Sequence, residues 1–191
     1  MKVGFIGLGN VGSKLANSLL KNNIDLSVRD LDYKIMKKFK NKGAKLYKSP
    51  KQLTENVDLI ITCLPSPKIC SQVMESKNGV IAGISKNKLW LEMSTTDEKE
   101  VKRIGKLIKS KKAIPLDCPV SGGCHRAATG NISIFVGGNK KAYDKIFNIL
   151  SIMGKNILYT GKLGSASILK VLTNYLATSN LIALGEALIL A

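Results

Sequence analysis

The sequence predicts an α/β fold: a doubly wound, mostly parallel sheet, followed by the first helix of an incomplete all-α domain. Three observations predict it. Short apolar runs alternate with segments of helical periodicity over residues 2–159, the pattern of strands covered by crossover helices. The first run, Val3-Gly4-Phe5-Ile6, passes directly into a glycine-rich turn and then a helical pattern. Beyond Gly161 the alternation stops, and residues 165–191 are mostly apolar with no proline.

Taken in order, strands are predicted at 2–7, 24–29, 44–47, 57–63, 88–93, 113–118, 132–136 and 156–159. Helices are predicted at about 10–21, 32–42, 67–76, 97–110 and 140–152. No internal repeat or low-complexity linker interrupts them. The final apolar segment is long enough for a helix of about 40 Å at 1.5 Å per residue. Lys170, Asn174, Asn180 and Glu186 interrupt it, and charges are costly in lipid. It is therefore read as a helix buried in protein rather than a membrane span. Something outside the sequence, more chain or a partner, is expected to cover it.

Composition bounds the function. Of the 191 residues 45% are hydrophobic but only 5% aromatic, so aliphatic side chains must build the core. The formal net charge is +17. A nucleic-acid partner is one reading of that charge. The lysines are spread along the chain, however, with no zinc-finger or RNA-binding signature, so a lysine-rich surface is preferred and nucleic acid is not an expected partner. The positive field would help attract anionic ligands. Cys63, Cys70, Cys118 and Cys124 have no metal-site or redox-pair spacing, so no metal is expected and buried free thiols are. Residues 1–12 lack the long apolar core of a signal peptide, which points to the cytoplasm.

The turn Gly7-Leu8-Gly9-Asn10-Val11-Gly12 joins the first strand to the first helix. In that setting GxGxxG is a dinucleotide-binding fingerprint of the Rossmann type. Gly7 permits the tight turn, Gly9 lets backbone approach a pyrophosphate, and Gly12 lets helix pack on strand. The helix N-terminus would offer free N–H groups to the phosphates. Asp30, at the end of the second strand, stands where an acid bonds the adenosine ribose hydroxyls. Its charge favours NAD, while Arg29 beside it keeps NADP open. Helix capping is an alternative role for Asp30, though Asp32 can supply a cap instead. Leu64-Pro65 and Ser94-Thr95 follow the fourth and fifth strands and are placed to line the cofactor cleft. Ordinary turn chemistry would explain them equally well.

Two segments carry the chemistry. Asp117-Cys118-Pro119-Val120-Ser121-Gly122-Gly123 ends a strand in a turn with one hydroxyl and exposed N–H groups, suited to a carboxylate. Lys170 and Asn174 are four apart in the final helix and share a face. If Lys170 is buried, desolvation lowers its pKa and fits it for proton transfer.

These residues together resemble the β-hydroxyacid dehydrogenases, the group of 3-hydroxyisobutyrate dehydrogenase, tartronate semialdehyde reductase and glyoxylate/succinic semialdehyde reductases. The shared marks also include Gly130-Asn131, Val136-Gly137-Gly138 and Gly164, in family order from Val3 to Asn174. The resemblance implies Lys170 as catalytic acid/base, Asn174 as a substrate contact, and Ser121, Gly122 and Gly123 as the grip on the substrate carboxylate. It implies NAD-dependent interconversion of a small β-hydroxy acid and its semialdehyde or keto acid. An NADP-dependent semialdehyde reductase and a non-catalytic dinucleotide-binding or nucleic-acid-associated fragment are the alternatives.

The resemblance further implies a Rossmann domain over 1–162 and, over 163–191, the start of a truncated helical domain. In relatives that helix packs against a partner subunit, so the full-length form is expected to be a homo-oligomer. Thr173, His125 and Arg126 depart from the family pattern, and Arg126 is a candidate second anion contact.

Overall fold

The computed structural model describes residues 1–191. Nine strands form one sheet: β1 (Val3–Ile6), β2 (Leu26–Arg29), β3 (Lys45–Leu46), β4 (Leu59–Thr62), β5 (Leu89–Glu92), β6 (Ile114–Asp117), β7 (Val120–Ser121), β8 (Ser133–Gly138) and β9 (Asn156–Gly161). The order is β3-β2-β1-β4-β5-β6-β8-β7, with β9 paired to β8. The first six run parallel, giving the doubly wound order with its switch point between β1 and β4. β8 reverses against β6 and β7, and β9 runs parallel to β8.

The helices are α1 (Gly12–Lys21), α2 (Tyr33–Lys40), α3 (Pro50–Glu55), α4 (Pro67–Glu75), α5 (Val80–Gly83), α6 (Glu98–Ser110), α7 (Gly123–Ala128), α8 (Lys140–Met153) and α9 (Ser165–Leu190). All eight predicted strands and all six predicted helices exist. Four short elements were not predicted: α3, α5, β7 and α7. Each has two to six residues, too short to show a period. α3 nevertheless carries a start signal, Ser49-Pro50, with the Ser49 hydroxyl accepting Gln52 N–H at 3.2 Å.

Alternation along the strands divides the core in two. Val3 and Phe5 of β1, Leu59 and Ile61 of β4, and Leu89 and Leu91 of β5 point to the face covered by α1, α2 and α8. Ile6, Ile60 and Trp90 point to the face covered by α3, α4, α5 and α6. Gly4 clears room on that second face, since a Cβ there would lie 2.2 Å from the Leu53 side chain.

α9 differs from its expectation. Ala166, Ser167 and Lys170 are buried, but Val171, Leu172, Tyr175, Leu176 and most of the apolar residues after them are exposed. Only its first turns rest on the sheet. No helix is long and apolar enough to cross a membrane. The thiols also correct one expectation: all four are free, but only Cys70 and Cys118 are buried, while Cys63 is half-buried and Cys124, on the surface helix α7, is exposed.

Candidate cofactor and active site

The predicted cofactor residues follow the carboxyl ends of β1, β2, β4 and β5, whereas Ser121–Gly123 lie in and after β7 and Lys170 and Asn174 on α9. Gly7 ends β1 with φ +97°, and its N–H donates to the Arg29 carbonyl at 3.0 Å. A Cβ on Gly7 would meet the Cys63 carbonyl at 2.2 Å, and one on Gly12 would meet the Gly7 carbonyl at 2.1 Å. A Cβ on Gly9 would meet nothing within 4 Å. Two glycines therefore serve internal packing, while Gly9 faces open space. The N–H groups of Gly9, Asn10, Val11 and Gly12 have no acceptor within the chain, and α1 has no side-chain cap. Four free donors at a helix start, with a bare backbone beside them, fit a diphosphate.

Asp30 closes this turn from the side. One carboxylate oxygen accepts Leu8 N–H at 2.5 Å and the other accepts Asp32 N–H at 2.8 Å. Asp32, not Asp30, caps α2. A carboxylate has about four acceptor sites, so Asp30 keeps capacity for ribose hydroxyls while it fixes Leu8. An open cleft of about 730 Å³ lies beside it, lined by Arg29, Asp30, Leu31, Tyr33, Tyr47 and Lys48 among others. That is within the usual range for a ligand site. The Arg29 Nε donates to the Lys48 carbonyl at 3.1 Å and Nη1 faces the Met36 sulfur at 3.7 Å, so this guanidinium already has partners.

The turns after β4 and β5 are tied together. Ser94 Oγ accepts Leu64 N–H at 2.8 Å, and the Cys70 thiol approaches it at 3.4 Å. Ser94 is buried, whereas Pro65 and Thr95 are exposed. The Ser94 hydroxyl thus holds the Leu64 turn instead of facing the cleft. Beneath both turns lies Glu92, which sequence reasoning missed. It is 1% exposed. It accepts Ser94 N–H at 2.8 Å and the Thr62 hydroxyl at 3.0 Å, and Trp90 Nε1 donates to Thr62 at 2.9 Å. No cation joins this cluster, and burial pushes the Glu92 carboxyl up. Its signal was an acid inside the apolar run Leu89-Trp90-Leu91-Glu92-Met93.

Asp117, one member of the Asp117–Gly123 motif, holds the first turn of α9. It is fully buried at the end of β6. One oxygen accepts Gly164 N–H at 2.8 Å; the other accepts the Ser167 N–H at 2.9 Å and hydroxyl at 3.1 Å. Gly164 has no capping side chain of its own, so Asp117 caps α9 from a distant strand. Gly137 makes room, since a Cβ there would lie 2.4 Å from the Asp117 carboxylate.

Lys170 follows three residues after Ser167. It is 9% exposed, forms no ion pair, and desolvation lowers its pKa from 10.5. Asn174, one turn further, is exposed. Ser121 is half-buried in β7, paired with Ser133, and Gly122 and Gly123 turn outward at φ +128° and +74°. No group of metal-ligating side chains occurs.

A family model described as the NAD binding domain of 6-phosphogluconate dehydrogenase matches residues 2–161. The chain is 36% identical over 186 residues to the mitochondrial 3-hydroxyisobutyrate dehydrogenase of Rattus norvegicus, covering 97% of the chain and 56% of the relative. It is 31% identical over 190 residues to the 2-(hydroxymethyl)glutarate dehydrogenase of Eubacterium barkeri, covering 63% of that protein. A solved Mycobacterium tuberculosis 3-hydroxyisobutyrate dehydrogenase superposes on the whole chain with a TM-score of 0.91 at 25% identity, over 64% of its own length. The chain thus spans 56–64% of the length of these relatives.

Proposed function

We propose, on the premise that the chain belongs to the family of the NAD binding domain of 6-phosphogluconate dehydrogenase, that its whole protein is an oxidoreductase. It interconverts a small β-hydroxy acid and the corresponding semialdehyde or keto acid, with NAD, or alternatively NADP, as cofactor. The observation that carries this reading is Lys170, a buried amine without an ion pair, with a lowered pKa, on a helix pinned to the carboxyl edge of the sheet.

The roles follow from chemistry. Gly9 and the free N–H groups of Asn10, Val11 and Gly12 would hold the pyrophosphate, and Asp30 the ribose. Leu64, Pro65 and Thr95 would border the rest, with Ser94 and Glu92 setting their geometry from below. The nicotinamide, when bound, would accept the hydride as NAD in the oxidation and return it as NADH in the reduction. In the oxidation, neutral Lys170 takes the hydroxyl proton; in the reduction, its ammonium donates that proton to the carbonyl oxygen. Ser121, Gly122 and Gly123 hold the substrate carboxylate, and Asn174 a second substrate atom.

The exposed apolar face of α9 supports packing against further helices and a second subunit. A cytoplasmic location belongs to the same proposal, although the rat relative is named as mitochondrial. NADH titration, then turnover of 3-hydroxyisobutyrate, glycerate, 4-hydroxybutyrate and 6-phosphogluconate by the whole protein, tests the reading. NADH affinity with turnover of a hydroxy acid is expected. Duplex DNA binding without NADH binding would overturn it.

A further inference from the structure

The chain has only three arginines among 30 basic residues. Arg103 is held by Glu75 and Glu100, and Arg29 bonds the Lys48 carbonyl. Arg126 alone has no partner: it enters none of the ion pairs, and α7 contains no acid. Yet it is placed with care. Its Cδ lies 2.7 Å from where a Cβ on Gly122 would stand, so the side chain folds back over the Ser121-Gly122-Gly123 turn. In a chain that answers almost every demand for charge with lysine, an arginine here signals a need for the guanidinium's planar fork.

We infer that Arg126 forms a second anion subsite beside that turn, and that the substrate is a β-hydroxy acid carrying a second carboxylate. The inference rests on the reading of the turn as a carboxylate cradle. The turn offers neutral N–H groups and one hydroxyl to the first carboxylate. Arg126 adds one fixed positive charge, matched by one carboxylate in a bidentate pair. A phosphate dianion would call for more, and the neighbouring His125 is the only other basic side chain of α7.

The test compares kcat/KM for 2-(hydroxymethyl)glutarate, 3-hydroxyisobutyrate and 6-phosphogluconate, using the unaltered whole protein, Arg126→Ala and Arg126→Lys. We expect the unaltered protein to prefer the dicarboxylate. Arg126→Ala should lower the dicarboxylate-to-monocarboxylate ratio roughly 10- to 100-fold, mainly through KM, and Arg126→Lys should restore part of it. A ratio unmoved by Arg126→Ala, with 3-hydroxyisobutyrate turned over normally, overturns the subsite and leaves the proposed function standing. A larger Arg126 dependence for 6-phosphogluconate overturns the carboxylate assignment. No turnover of any of the three by the unaltered protein overturns the functional reading and the inference together.

Discussion

Asp117 and Ser167 are 50 residues apart in sequence, yet one carboxylate oxygen accepts both the backbone N–H and the hydroxyl of Ser167, at 2.9 and 3.1 Å. The other oxygen takes the Gly164 N–H. β6 thereby fixes the first turn of α9, and Lys170 stands three residues on. Asp117→Ala leaves two buried N–H groups without acceptors, at about 1–3 kcal/mol each. We expect a loss of about 2–6 kcal/mol in urea unfolding, and less for Asp117→Asn, which keeps one oxygen. An unmoved midpoint in the alanine variant would show that something else anchors the helix.

Lys170 gives a pH signature. Desolvation lowers its pKa from 10.5, so the oxidation, which needs the free amine, should rise with pH to a plateau reached below 10.5. The reduction, which needs the ammonium, should fall over the same interval. The depressed pKa also means that the unfolded state binds this proton more tightly. Stability contributed here therefore rises with pH between the lowered pKa and 10.5. Lys170→Ala should lose ~10²–10⁴ in turnover of the whole protein while retaining NADH. Full turnover in that variant removes Lys170 from the mechanism.

The sequence made the fold and half of the site legible for one reason: both are local. Strands, long helices and the Gly7–Gly12 turn each announce themselves within a few residues, and the joint motif order identified the family. Lys170 stood out as a cation in an apolar helix. The Asp117 and Glu92 contacts were not legible, because their partners Ser167 and Thr62 lie 50 and 30 residues away, and only the assembled sheet edge brings them together. The exposure of α9 was missed for the opposite reason. Apolar composition alone does not show that a helix is buried, and most of the apolar side chains after Lys170 are exposed.

Gly7 and Gly9 of the first turn should separate under substitution. Gly7→Ala forces a side chain onto φ +97° and into the Cys63 carbonyl, so it should destabilise the chain by more than about 1 kcal/mol. Gly9→Ala meets nothing, so its melting temperature should stay near that of the parent while NADH affinity falls at least tenfold. Calorimetric unfolding and an NADH titration read the two effects separately. Equal NADH affinity in Gly9→Ala would mean that the diphosphate does not pass over this residue.

Glu92 should leave its mark on stability against pH. Burial raises its carboxyl pKa above the ordinary 4.5, so the folded state binds this proton more tightly than the unfolded chain. The contribution is fully present below 4.5 and is lost as pH climbs through the raised value. Gln keeps an oxygen for the Ser94 N–H and has no charge to bury. The melting temperature of Glu92→Gln should therefore gain on that of the parent as pH rises from about 4.5 towards neutrality. The neighbouring Cys70 thiol, pushed up to about 12 chiefly by burial and also by Glu92, stays protonated throughout and does not blur the comparison. Melting curves that keep a constant separation across that range would mean that Glu92 keeps its ordinary carboxylate titration despite its burial.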